Sequence, residues 1–270
     1  MSTSSWFTTH NIAPNTWAID DNGMDVMYLI TGTERALLID TGMGFCDLAA
    51  EMHKLTDLPL MVVNTHGHID HISGNGQFAQ VYIAAADREF ITDPQTDEDR
   101  VMIQQVFFSG ENPRTPPAEF DPDAWGTKVA GEICTIRPGD IFDIGGRTLE
   151  ALPIPGHTPG CMAFLDRQER LLFSGDAILA GVWMQLGESL PLHEYKQSLE
   201  PVWACRAAFD WIYSGHNVKP FPAEDLEGYI DGIGQILAGS IVGQPEHTFA
   251  GDGLRWNYKS LGVLYRADRL

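Results

Sequence analysis

Residues 60–74 read LMVVNTHGHIDHISG: an apolar run, then three histidines and an aspartate within six positions. The chain has nine histidines in 270 residues, so a third of them stand in this one segment. The apolar run is short and nearly continuous, which predicts a strand over 60–64 covered on both faces. His66, His68, Asp70 and His71 then fall on the loop that leaves its C-terminal end, where open α/β sheets present their ligands. Side chains at 66 and 68 share one side of an extended segment, and Asp70 and His71 reach round the turn into a following helix. Imidazole nitrogens and carboxylate oxygens are the donors of catalytic zinc sites, and they also accept iron or manganese.

The same chemistry recurs downstream in the same kind of place. PIPGHTPG sets His157 just after an apolar run, LLFSGDA does so for Asp176, and WIYSGH for His216. Each alone reads as an ordinary turn residue. Together they supply two metal positions: His66, His68 and His157 for one, Asp70, His71 and His216 for the other, with Asp176 offering one oxygen to each. Upstream, VMYLITGTERALLIDTG (26–42) has the pattern of a hairpin whose second strand ends at Asp40, and 43–57 reads as a helix. Residues 85–130 change character: the acidic TDEDR (96–100) suits a helix N-terminus, RVMIQQVFF a helix, and ENPRTPPAEFDPDAW a proline-rich connection. This region reads as a helical lid or insertion within a single domain spanning 1–270. Strands resume within 140–155, 161–176 and 209–215, helices are expected at 193–209 and 223–240, and 253–266 reads as a closing strand.

With its HGHIDH segment, and PGHTPG, SGDA and SGH following in order, the chain resembles the metallo-β-lactamase-fold hydrolase superfamily, whose motif is H-x-H-x-D-H. The resemblance covers nearly the whole chain. It implies an α/β fold, an αββα four-layer sandwich with the metal site at the edge between two sheets. It implies the same ligand roles for His66, His68 and His157, for Asp70, His71 and His216, and for a bridging Asp176. Asp40, in LIDTG, matches a family position that supports the ligands. The cofactors implied are two divalent metal ions, zinc first, with manganese or iron also suited to this donor set. Two such ions sharing a water lower its pKa towards neutrality, so a bridging hydroxide needs no side-chain nucleophile, and Asp70 is the candidate to orient it. No G-x-S-x-G or S-x-x-K motif competes with this reading.

Departures from particular relatives narrow the substrate. Asp176 stands where metallo-β-lactamases commonly carry Cys or Ser, which leaves β-lactam hydrolysis as at most a minor activity. Leu179 stands where acyl-homoserine lactonases often carry Tyr, and residues 220–270 hold few of the basic residues that glyoxalase II uses for glutathione. The expectation is a dinuclear hydrolase of a small ester, lactone or thioester. Two-metal phosphodiester or phosphoryl hydrolysis is the alternative, and a non-enzymatic metal-binding protein comes last. Phe107, Phe108, Trp125, Trp183 and Tyr195 are candidates to line an apolar substrate pocket, against a competing role as core or lid packing. His10, His53, His193 and His247 lack partner spacing.

A formal charge of -20 and a pI near 4.6 set the surface against nucleic acid and anionic membranes. Four cysteines without a C-x-x-C pair suit free thiols in a reducing compartment. Residues 1–10 have neither a basic region nor an apolar one, and no run of eighteen apolar residues occurs. A cytoplasmic protein acting on a small molecule is therefore expected, with monomer and homodimer both compatible.

Overall fold

The structure is a computed structural model, and it describes residues 6–109 and 113–270. The first five residues and the start of the proline-rich stretch, 110–112, lie outside it. Seven strands, β1 (Thr8–Ala13), β2 (Thr16–Asp20), β3 (Val26–Thr31), β4 (Ala36–Ile39), β5 (Leu60–Val63), β6 (Gln80–Ala84) and β7 (Glu132–Ile136), form one sheet in sequence order. The chain continues through β8 (Ile141–Asp143), β9 (Thr148–Pro153), β10 (Met162–Asp166), β11 (Leu171–Gly175), the short β12 (Val182–Trp183), β13 (Trp211–Ser214) and β14 (Phe221–Pro222). All of these but β12 make a second sheet in the order β14-β13-β11-β10-β9-β8. Finally β15 (Gln244–Thr248), β16 (Gly251–Tyr258) and β17 (Leu261–Tyr265) join β12 in a third sheet, ordered β12-β17-β16-β15. The helices are α1 (Leu48–His53), α2 (Ile69–Ile72), α3 (Glu89–Thr92), α4 (Asp97–Phe108), α5 (Leu192–Ala204) and α6 (Asp225–Leu237).

The alternation of side chains along the strands builds four layers. One face of the first sheet (Tyr28, Ile30, Leu37, Ile39, Val63) meets one face of the second (Ala151, Phe164, Phe173, Tyr213) in a shared core. The opposite face of the first sheet packs on α1, through Leu29, Leu38 and Val62 against Leu48 and Met52. The opposite face of the second packs on α5 and α6, through Leu165, Leu172 and Ile212 against Leu199, Leu226 and Ile233. The result is the αββα arrangement, and it is why the central strands β3, β4, β10 and β11 are buried along their whole length. The two sheets are stitched where β3 meets β13: the Tyr28 hydroxyl donates to the Ser214 carbonyl at 2.6 Å, and the Val26 amide to Gly215 O at 2.6 Å.

Several expectations change in detail. The helix expected over 43–57 is reduced to Leu48–His53, because Gly42 and Gly44 turn through positive φ and Asp47 caps the helix only afterwards. The helix N-terminus expected at 96–100 is in place: α4 starts at Asp97, where Thr96 and Asp99 form a capping box. The closing strand over 253–266 is two strands of a hairpin, and strands β1, β2, β6 and β7 had no clear signal. Among the described residues, no helix is long and apolar enough to cross a membrane.

Two buried carboxyl groups flank the turn into β3. Asp21 accepts from the Trp6 indole and from the Met43 amide at 2.9 Å, whereas neither oxygen of Asp25 has a hydrogen-bond partner. Burial, and then the charge of Asp21, push the Asp25 carboxyl well above its ordinary value of 3.8. A folded-state pKa above the unfolded one means that the folded chain binds the proton more tightly. The stability contributed by Asp25 is therefore lost as pH rises from 3.8 into the raised range. Asp25→Asn is expected to match the parent in thermal unfolding near about pH 4 and to melt several degrees higher near about pH 8. A constant gap across that range contradicts this account.

Candidate metal centre

β4 and β5 are parallel, as are β11 and β13, and β9 runs in the direction of β11 because each is antiparallel to β10. The loops after β4, β5, β9, β11 and β13 therefore emerge at one edge of the two sheets. They carry Asp40, the 66–71 segment, His157, Asp176 and His216. His68 is the N-cap of α2, so that short helix carries Asp70 and His71 round towards the same centre.

Each of the five histidines has one ring nitrogen tied to protein and the other turned inward. The Nδ1–H of His157 donates to Trp183 O at 2.7 Å, and that of His216 to Met24 O at 2.7 Å. His71 Nδ1 donates to Asp40 Oδ2 at 3.0 Å. The Thr65 hydroxyl also donates to Asp40, at 2.7 Å, which leaves its oxygen to accept from His66 Nδ1 at 3.1 Å. His68 is reversed: its Nε2 meets Glu188 Oε1 at 2.8 Å, and its Nδ1 lies 3.2 Å from His66 Nε2. These outer bonds fix ring orientation and tautomer.

The inward atoms form three overlapping groups, each spanning no more than 4.8 Å: His66, His68 and His157; His66, His71 and Asp176; Asp70, His71 and His216. Asp176 lies between them, with one oxygen 3.5 Å from His71 Nε2 and the other 3.0 Å from His216 Nε2 and 3.8 Å from His157 Nε2. Asp70 Oδ2 stands 3.4 Å from His216 Nε2 and 3.6 Å from His71 Nε2.

The residues present fit a metal. His71 Nε2, His157 Nε2 and Asp176 Oδ1 are buried and have no hydrogen-bond partner, a costly arrangement unless a cation takes their lone pairs. The centre also needs a glycine beside it, since a Cβ at Gly215 meets Asp176 Oδ1 and His71 Cε1, both at 2.5 Å. Burial, reinforced by neighbouring imidazoles, holds His66 well below its usual range and His157 down at about 4, so both present neutral lone pairs. Burial opposes charge at His71 and His216, but the Asp70 and Asp176 carboxylates outweigh it and hold them up at about 9 and about 10.

Supporting residues complete the site. Asp40 accepts from the Thr65 amide at 2.7 Å as well as from Thr65 Oγ1 and His71, and does so from a left-handed backbone at φ 61°. Asp87 and Glu188 had no sequence signal: one is an ordinary acidic residue in AADREF, the other an exposed residue in LGESL. Asp87 is fully buried and accepts from the Gly67 amide at 2.9 Å, the Gly160 amide at 2.7 Å and Thr158 Oγ1 at 2.6 Å. It thereby staples the HGHIDH loop to the PGHTPG loop.

The aromatic candidates divide. Trp183 is partly exposed beside the centre, with Phe249 across it at 5.3 Å. Phe107, Phe108 and Trp125 gather around Phe45 in a small core of their own. Tyr195 is corrected: it is fully buried, donates to Ala177 O at 2.6 Å and wedges against Gly156, so it backs the His157 loop from inside instead of facing substrate. A cleft of about 310 Å³ opens beside His68, lined by Gly67, Ile69, Phe90, Asp93, Gln95 and Asp99 among others.

Asp87→Ala leaves two buried amides without an acceptor and is expected to cost about 2–4 kcal/mol of stability. Through the loosened loops it is expected to weaken metal uptake about 10–100-fold. Thermal unfolding and zinc titration check both, and a variant that melts and binds like the parent removes Asp87 from this role.

The sequence profile of the metallo-beta-lactamase superfamily matches residues 21–231. The human acyl-coenzyme A thioesterase MBLAC2 is 25% identical over 239 residues, 82% of each chain. The hydroxyacylglutathione hydrolase GloC of Haemophilus influenzae is 27% identical over 153 residues, 55% of this chain and 63% of that protein. Among solved structures, a metallo-beta-lactamase from Pontibacter korlensis superposes with a TM-score of 0.56 at 16% identity, over 84% of this chain and 99% of its own. The match over most of the chain, on the fold and centre described, shows that this protein belongs to the metallo-beta-lactamase superfamily and is a hydrolase of that family.

Proposed function

We propose that the chain is a dinuclear thioester hydrolase. The observation that carries this reading is the convergence of seven nitrogen and oxygen donors, three of whose atoms are buried without any protein partner. Seven donors exceed the needs of one four- or five-coordinate ion. His66, His68 and His157 would hold one ion, Asp70, His71 and His216 the other, and Asp176 would stand between them. When bound, a pair of divalent ions, zinc in the first instance, acidifies water and polarises a carbonyl.

The chain's own residues select the substrate. The thioester bond is suggested by the activities of the acyl-coenzyme A thioesterase and hydroxyacylglutathione hydrolase relatives. A thiolate leaves without being protonated, since a free thiol has a pKa of about 8.5, so the site needs no strong general acid. Asp70, whose side chain is 30% exposed, can take a proton from the attacking water through the carboxylate oxygen not turned towards His71 and His216. Phe90, Ile69, Trp183 and Phe249 offer an apolar rim for an acyl group.

Phosphodiester cleavage is the weaker reading, because the cleft beside His68 has Asp93 and Asp99 on its walls and no Lys or Arg. The basic residues of the C-terminal region are already engaged: Arg255 by Glu246, Lys259 by Asp225, Arg266 by Asp268, and Arg269 by backbone carbonyls. On this reading the thiol half of the substrate is held without a dedicated phosphate site in the C-terminal region.

Hydrolysis of an acyl-N-acetylcysteamine thioester is expected to exceed that of p-nitrophenyl esters, a lactone, a β-lactam and bis-p-nitrophenyl phosphate by about tenfold or more in kcat/KM. It should also stay within about tenfold of the matching coenzyme A thioester. Faster turnover of the phosphodiester overturns the reading.

Metal content separates the ligand roles. The parent is expected to hold two ions per chain, which seven donors permit. Asp176→Ala should weaken both sites, and His216→Ala should keep one ion and lose about 10²-fold or more in activity. An Asp176→Ala variant holding two ions with parent affinity defeats the bridging assignment.

A further inference from the structure

His68 differs from the other four histidines in two respects. It turns Nδ1 inward, and the partner of its outer nitrogen is an exposed carboxylate 120 residues away, on the loop between β12 and α5. That loop is braced from two directions. On the inner side, Ser189 Oγ donates to His157 O at 2.9 Å, and the Leu190 amide donates to Gly156 O at 2.8 Å. On the outer side, the chain end holds it. Arg269 Nη1 donates to Leu186 O and Gly187 O, each at 3.0 Å, its Nη2 donates to Ser189 O, and the Leu192 amide returns a bond to Arg269 O at 2.9 Å. One strand earlier, Val182 and Trp183 pair in parallel with Val263 and Leu264 of β17. Both β17 and Arg269 lie beyond residue 231, where the family match ends.

We propose that Glu188 is a positioning residue for the metal centre: it holds the His68 ring in the orientation and tautomer that turn Nδ1 towards His66 and His157, and Arg269 holds Glu188 in place. The proposal rests on His68 being a metal ligand, as argued under Proposed function. An imidazole can flip by half a turn about its Cβ–Cγ bond, which moves Nδ1 away from the centre. A proton on Nε2 shared with a carboxylate opposes that flip and leaves Nδ1 with the lone pair. An exposed carboxylate–imidazole contact adds little to stability, so its effect should appear in metal affinity and ring tautomer instead of melting temperature. The C-terminal sheet thereby becomes part of the centre's outer support.

Zinc titration of the full chain against a chromophoric chelator, with ring-nitrogen NMR of 15N-histidine-labelled protein, tests this. Glu188→Ala is expected to weaken one zinc site about 10–100-fold and to lose the Nε2–H form of His68. Glu188→Gln, which keeps an acceptor, should recover most of the affinity, and Arg269→Ala should give a smaller loss than Glu188→Ala. Glu246→Ala, whose side chain pairs with Arg255 in the C-terminal sheet, should bind as the parent does. Parent affinity with an unchanged His68 tautomer in Glu188→Ala overturns the proposal, as does an equal loss in Glu246→Ala. A parent chain that takes up no zinc at all overturns the metal reading, and the positioning role with it.

Discussion

Imidazole rings crowded at one buried edge would be costly if their orientation were left free. What makes the arrangement possible is that every ring has its outer nitrogen occupied: by Thr65, by Glu188, by Asp40, and by the carbonyls of Trp183 and Met24. With those bonds made, each ring has one nitrogen left to offer, and these nitrogens face a common centre. Buried donor atoms lacking protein partners are then a consequence of the fold, and a divalent cation is the natural counterpart to them.

The sheets serve that constraint. Five loops reach one edge because the strands that precede them run in a common direction, and the two sheets are joined near that edge through Tyr28 and Ser214. The bond from the Val26 amide to Gly215 O brings the His216 loop of the second sheet against the first. Asp87 ties the 66–71 loop to the 157 loop in the same manner, so the donors are held by both sheets at once. Rigid elements holding the loops that carry the donors are what a preorganised site requires.

The third sheet gives the chain its individuality. Its strands β15, β16 and β17 lie beyond the residues that match the family, pack Trp256 against Gly232 of α6, and reach the site through their partner β12 and through Phe249 and Arg269. The cleft beside His68 has Asp93 and Asp99 on its walls, and Arg255 and Lys259 of the C-terminal region are paired with Glu246 and Asp225.

The candidate donors and their placement at strand ends were legible in the sequence. Metal ligation of this kind is local: four donors stand within residues 66–71, and the other three follow apolar runs that are readable as buried strands. The four-layer fold followed from resemblance, and the packing of both sheet faces accounts for it. Only the tertiary structure decided which nitrogen of each ring faces inward, that Asp87 and Glu188 support the centre, and that Tyr195 sits behind the site instead of in it. Those facts depend on single hydrogen bonds between segments tens to more than a hundred residues apart, such as the 73 that separate Asp87 from Gly160 and the 120 that separate His68 from Glu188. Such bonds leave no periodicity in the chain, because one carboxylate in a loop looks like any other until folding brings its partner within reach.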